Sequence, residues 1–79
     1  MWNYRVIARE SNVDPGEMIY GIHEVYYHQD GSIHTWTVDP VEAEGSSLAE
    51  VKDNLVAMLA ATEQPILVEA GDTLVERGA

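Results

Sequence analysis

The stretch Met18–Val38, MIYGIHEVYYHQDGSIHTWTV, decides the fold of this chain. Its first part, Met18 to His28, is dense in Ile19, Tyr20, Ile22, Val25, Tyr26 and Tyr27. Such β-branched and aromatic side chains fit a pleated, half-buried surface. Asp30-Gly31 is a hairpin signal between apolar runs. Ser32 to Val38 then returns with Ile33, Thr35, Trp36, Thr37 and Val38. Two registers remain open. A two-residue turn at Asp30-Gly31 sets Val25 opposite Trp36 and gathers His23, Val25, Tyr27, Trp36 and Val38 on one face. A three-residue loop with Gly31 left-handed sets Glu24 there instead. The first is the expected register, and a one-residue slip would turn every side chain to the other face.

Upstream, Trp2 to Arg9 reads as a strand, because Trp2, Tyr4, Val6 and Ala8 alternate with Asn3, Arg5, Ile7 and Arg9. A polar loop, Glu10 to Glu17, carries turn chemistry at Asp14-Pro15-Gly16. Downstream lies an acidic connection, Asp39 to Gly45. Ser47 and Glu50 then form an S-x-x-E capping box, in which side chains satisfy backbone N–H groups left open by the first helical turn. Glu50 also suits the positive end of the helix dipole. Behind the cap, Leu48, Val51, Leu55, Met58, Leu59 and Thr62 recur at helical spacing, a stripe expected to face the sheet. Pro65 restricts the residue before it, so the helix should stop near Glu63 or Gln64. Pro65 to Val68 suggests a short fourth strand, and residues 69–79 a flexible acidic tail.

The expected architecture is α+β. A three-stranded antiparallel sheet in βββα order, with a possible fourth strand, carries one amphipathic helix on one face. One two-layer domain spans residues 1–68.

The chain's 79 residues hold 14 acids and 4 bases, a formal net charge of −10. Met1–Val38 carries five acids and two bases, and Asp39–Ala79 nine acids and two bases. So few bases disfavour direct binding to nucleic acid, and the negative charge favours a basic protein partner. The absence of cysteine excludes a disulfide scaffold and thiolate zinc sites. No apolar run reaches the roughly 18 residues of a membrane span. The N-terminus lacks the basic-then-apolar order of a signal peptide, so the expected location is the cytoplasm.

Catalytic motifs are lacking. Ser32, Ser46 and Ser47 stand in turn or cap contexts, and the glycines are scattered rather than gathered in a phosphate loop. His23, His28 and His34 all lie on the hairpin. A metal or acid–base site would combine His23 and His34 with Glu24, since imidazole is a common ligand and base. His23 and His28 sit at odd and even strand positions and should diverge. The simpler expectation is that the histidines are solvated or cross-strand polar residues, with no metal, no cofactor and no enzymatic activity. Glu24, amid apolar neighbours, points to water or pairs with Arg5 or Arg9.

Six aromatic residues remain, Trp2, Trp36, Tyr4, Tyr20, Tyr26 and Tyr27. Consecutive Tyr26 and Tyr27 must face opposite sides, so part of the set is exposed. Such residues anchor interfaces by joining apolar area to a polar tip. The expected partner-binding residues are Asp39, Glu42 and Glu44 on the acidic connection, with Tyr26. A homodimer through the helix-free sheet face would also cover exposed aromatics.

Three strands followed by Gly45-Ser46-Ser47-Leu48-Ala49-Glu50 resemble the N-terminal domain of HicB-type antitoxins, whose helix opens on Gly-x-Thr/Ser-Leu-x-Glu. The resemblance covers about residues 2 to 68. It departs at Asp39-Pro40-Val41-Glu42, where that family has Pro-Gly, and no DNA-binding segment follows. It implies a non-catalytic fold that neutralises a basic RNA-cleaving toxin. The expected function is therefore an inhibitory or regulatory protein-binding module that occludes a basic site. The alternatives are a phage-type, anti-CRISPR-like nucleic-acid mimic and a histidine-based metal binder.

Overall fold

The structure, a computed structural model, describes residues 1–77. Its elements are β1 (Trp2–Glu10), β2 (Met18–Tyr27), β3 (Ile33–Trp36), α1 (Leu48–Ala61), β4 (Leu67–Ala70) and β5 (Thr73–Glu76). The five strands form one mixed sheet in the order β3-β2-β1-β4-β5. β1 runs antiparallel to β2, from Trp2 opposite Tyr26 to Glu10 opposite Met18. On its other side β1 pairs with β4 in parallel, Ile7 beside Leu67 and Ala8 beside Val68. A parallel neighbour needs a crossover, which the segment containing α1 provides. No helix among the described residues is long and apolar enough to cross a membrane.

The expected α+β class and the first three strands are present, but the expected three-stranded antiparallel sheet is incomplete. The segment expected to be a tail is half of a hairpin. Leu67-Val68-Glu69-Ala70 pairs antiparallel with Thr73-Leu74-Val75-Glu76 across a two-residue turn, Gly71-Asp72. Gly71 adopts φ 64°, a left-handed value natural for glycine at the first position of such a turn. Leu74 is buried and so ties this hairpin to the core. The last two positions of the expected tail, 78 and 79, lie outside the described residues.

Alternation along β1 puts Asn3, Arg5, Ile7 and Arg9 on one face of the sheet. The main core cluster is built there, while Ala8 on the other face and Met58 and Ala61 of α1 are buried as well. Ile7, Val25, Leu67 and Leu74 form the main cluster, with Tyr27, Ile33 and Trp36 packed against it. These residues come from all five strands, so the sheet curls until its two edges share one core, giving a nearly barrel-like shape.

The hairpin reconciles both registers. Val25 faces Trp36 and Tyr26 faces Thr35, as expected, but Tyr27 faces Ile33. The strand therefore carries a bulge at His34, one residue more than β2 opposes. Beyond the bulge the loop follows the other register: His28 N–H donates to Ser32 C=O at 2.8 Å, and Gly31 is left-handed at φ 89°. After β3 the chain keeps to the edge of β2, with Thr37 N–H on Glu24 C=O and Val41 N–H on Ile22 C=O.

The helix begins where its cap predicts. Ser47 Oγ accepts the Glu50 N–H at 3.2 Å. Glu50 reaches back one residue further than a regular capping box, its Oε2 accepting from both N–H and Oγ of Ser46 at 2.7 Å. These two bonds hold the Glu50 carboxyl below its ordinary pKa. The helix ends at Ala61 with Thr62 as its cap, ahead of Pro65.

The expected inward stripe holds at Val51 and Met58 and is corrected at Leu48, Leu55, Leu59 and Thr62, which are exposed. Val51, Asn54, Met58 and Ala61 make up the shielded side of α1, with Met58 and Ala61 buried. Leu48 is 85% exposed, Leu55 52%, Val56 61% and Leu59 66%. Asn54 Nδ2 donates to Glu44 C=O at 2.7 Å, a bond that fixes the helix's rotation. Small Ala57, Ala60 and Ala61 line the approach to β1, so this side can come close where the leucine side cannot.

Candidate functional site

Two adjoining regions carry the exposed chemistry. The first is the Trp2–Tyr26 end of the β1 and β2 face that lies opposite the main core cluster. Cross-strand pairing of Trp2 with Tyr26 and of Tyr4 with Glu24 gathers three aromatics and a carboxylate on that face. Trp2 meets Tyr4 edge-on with ring centroids 5.1 Å apart, and Tyr26 at 6.4 Å. Trp2 stays 47% exposed. Tyr26 donates its hydroxyl hydrogen to Glu24 Oε1 at 3.0 Å. That bond to a carboxylate, aided by desolvation and by the Glu24 charge, raises the Tyr26 pKa above its ordinary value. Beside the aromatics a groove of about 350 Å³ runs between β1 and α1, lined by Trp2, Asn3, Tyr4, Ala57, Ala60 and Gln64 among others.

The second region is the β2–β3 hairpin end. A cavity of about 650 Å³ opens there, lined by Met1, Asn3, Tyr27, His28, Gln29 and Gly31. Its wall is braced from inside. Buried Arg5 donates to Tyr27 Oη at 3.2 Å and to Pro65 C=O at 2.7 Å, and Tyr27 Oη donates to Asn3 Oδ1 at 2.7 Å. Arg5 also forms an ion pair of 3.8 Å with Glu76, while its Nε has no hydrogen-bond partner among the described residues.

The histidines separate as strand alternation demands, with one exception. His23 is 1% exposed, its Nδ1 2.9 Å from Thr37 C=O, so it is a core residue. It does not join His34. His34 instead meets His28, Nδ1 to Nε2 at 3.2 Å, both side chains exposed. The combination of His23, Glu24 and His34 is therefore not assembled. The described residues contain no group of three or more metal-ligating side chains. Glu24 engages Tyr26 rather than Arg5 or Arg9, since Arg5 serves the opposite face and Arg9 donates to Val38 C=O at 2.7 Å.

Of the expected partner-binding residues, Tyr26 belongs to the aromatic face, whereas Asp39, Glu42 and Glu44 stand exposed on the connection after β3. Sequence reasoning missed Trp2 and Tyr4 as Tyr26's companions, although their period-two spacing from Trp2 places them on one face. It also missed the His28–His34 pair, whose signal is hidden by the bulge. Compared with protein families, curated proteins and solved structures, the chain matches none.

Proposed function

We propose that this chain is a small non-catalytic binding module that occludes a basic surface of a partner protein, in the manner of an antitoxin. One observation carries the reading: the acids have almost no internal counter-charge. Among the described residues one ion pair forms, Arg5–Glu76, against 14 acids. Arg9 is engaged by Val38, and Arg77 donates to Tyr20 Oη at 2.8 Å. The negative field is left for a partner to neutralise, and it would speed encounter with a basic surface. Trp2, Tyr4 and Tyr26 supply the apolar anchors that charge alone lacks.

The test is capture of host proteins on the immobilised chain at low and high salt. Three baits are compared: the natural chain, the Trp2→Ala/Tyr26→Ala pair, and Asp39→Asn/Glu42→Gln/Glu44→Gln. The expected result is a basic protein whose capture falls with salt and falls in both variants. Capture of acidic or neutral proteins, or capture indifferent to salt and to both variant sets, overturns the proposal.

A further inference from the structure

We infer that His28 and His34 form an exposed two-histidine site for a late divalent transition-metal ion. The bulge at His34 takes that residue out of the regular alternation and turns it to His28 across the hairpin. The two facing nitrogens are 3.2 Å apart. Imidazole nitrogens bind such ions at about 2.1 Å, so two nitrogens at this spacing subtend about 100° at a shared ion, within the range of tetrahedral and octahedral coordination. The ring centroids are 4.4 Å apart with planes at 67°. Rings aligned head-on through these nitrogens would stand about 5.5 Å apart, and rings converging on one ion about 5 Å, so the axes are inclined and a small rotation of the exposed rings brings both nitrogens onto the ion.

Both rings are exposed, so the ion can enter without unfolding the hairpin. Asp30, the nearest acid in the loop, is occupied: its Oδ1 accepts from Ser32 N–H at 2.9 Å and Ser32 Oγ at 2.6 Å. Water therefore completes the coordination. Two neutral nitrogen donors and no converging carboxylate favour copper, nickel or zinc over calcium or magnesium. The open positions make the ion exchangeable and leave it accessible to a ligand from another molecule. The ion would also clip the short edge strand β3 to β2, binding the folded hairpin and not the unfolded chain.

The inference stands apart from the proposed partner surface, and its test uses the metal alone. The folded chain is titrated with Zn²⁺ and with Cu²⁺, by calorimetry and thermal denaturation. The expected result is one equivalent bound, a higher melting temperature, and affinity reduced more than about tenfold in His28→Gln and in His34→Gln. A readout independent of the variants' folding is line broadening of backbone amide NMR signals by substoichiometric Cu²⁺ in the natural chain. It should centre on residues 28–34. No binding at excess metal, binding by both variants as tight as by the natural chain, or broadening centred on the Met1 amine overturns the inference.

Discussion

Tyr26 and Glu24, two residues apart on one face of β2, are joined by a 3.0 Å hydrogen bond from phenol to carboxylate. The bond holds the phenol in its neutral form, so the Tyr26 pKa lies above its ordinary value. Replacing Glu24 with Gln removes the charge and lowers that pKa. The check is ultraviolet titration of tyrosinate absorbance, with Tyr26→Phe identifying the component that moves. An unchanged profile in Glu24→Gln would show that the pair does not persist in solution.

Glu50 takes two hydrogen bonds from Ser46, and Gly45 is what lets it come so near. A Cβ on Gly45 would stand 2.7 Å from Glu50 Cβ, closer than real contacts allow. Gly45→Ala and Ser47→Ala are each expected to cost about 1 kcal/mol through loss of the cap. Chemical denaturation measures both.

Hydrogen bonds from Ser46 lower the folded-state pKa of Glu50, and hydrogen bonds from Ser32 lower that of Asp30. The unfolded chain therefore binds more protons at these sites than the folded one. Their contribution to stability is fully present above the ordinary carboxylate range and is lost as pH falls through the lowered folded values. Glu50→Gln and Asp30→Asn should each flatten the acid limb of a melting-temperature profile. A limb as steep as that of the natural chain in both variants would contradict the assignment.

Leu67 is 1% exposed and Leu59 66% exposed, although both belong to apolar runs. Leu67→Ala should destabilise by about 2–5 kcal/mol. Leu59→Ala should change stability by no more than about 0.5 kcal/mol in the monomer. Similar losses at both sites would mean that the leucine side of α1 is covered in solution, and sedimentation at two concentrations would then show self-association.

Arg5 reaches Tyr27, Pro65 and Glu76 from within the core. Arg5→Met keeps much of the volume but leaves the Pro65 carbonyl and the Tyr27 hydroxyl short of a partner, at a cost of about 2–3 kcal/mol. Quenching and exchange at the Tyr27 ring, followed by NMR, should increase with it.

Much of the fold was legible because it is written in local patterns. Trp2 to Arg9, the Met18–Val38 hairpin and the Ser47 cap each depend on neighbours in sequence. What failed depends on distant partners. Glu69, Asp72 and Glu76 made the last segment look like a solvated tail, while the mirrored runs around Gly71-Asp72 were a hairpin signal that the acids masked. Leu48, Leu55 and Leu59 satisfy a helical period, but the period cannot say which arc meets the sheet. Asn54's bond to Glu44 and the small alanines decide that. The His28–His34 pair was beyond reach because one bulged residue reverses the facing rule on which the prediction rested. Tyr26 was identified correctly as lying opposite Tyr27 in facing, while its neighbours Trp2 and Tyr4 required the β1–β2 register.

The parallel pairing of β1 with β4 has a kinetic consequence. Pro65, beside the first strand's Arg5, lies 60 residues along the chain from it. During synthesis the first strand is made early, yet Ile7 gains its neighbour Leu67 only after the whole helical crossover has emerged. Closing so long a loop is entropically costly and slows folding relative to the local hairpin. The β2–β3 hairpin and the capped helix can form before β4 is made, but the core itself is completed only when β4 slides in alongside β1.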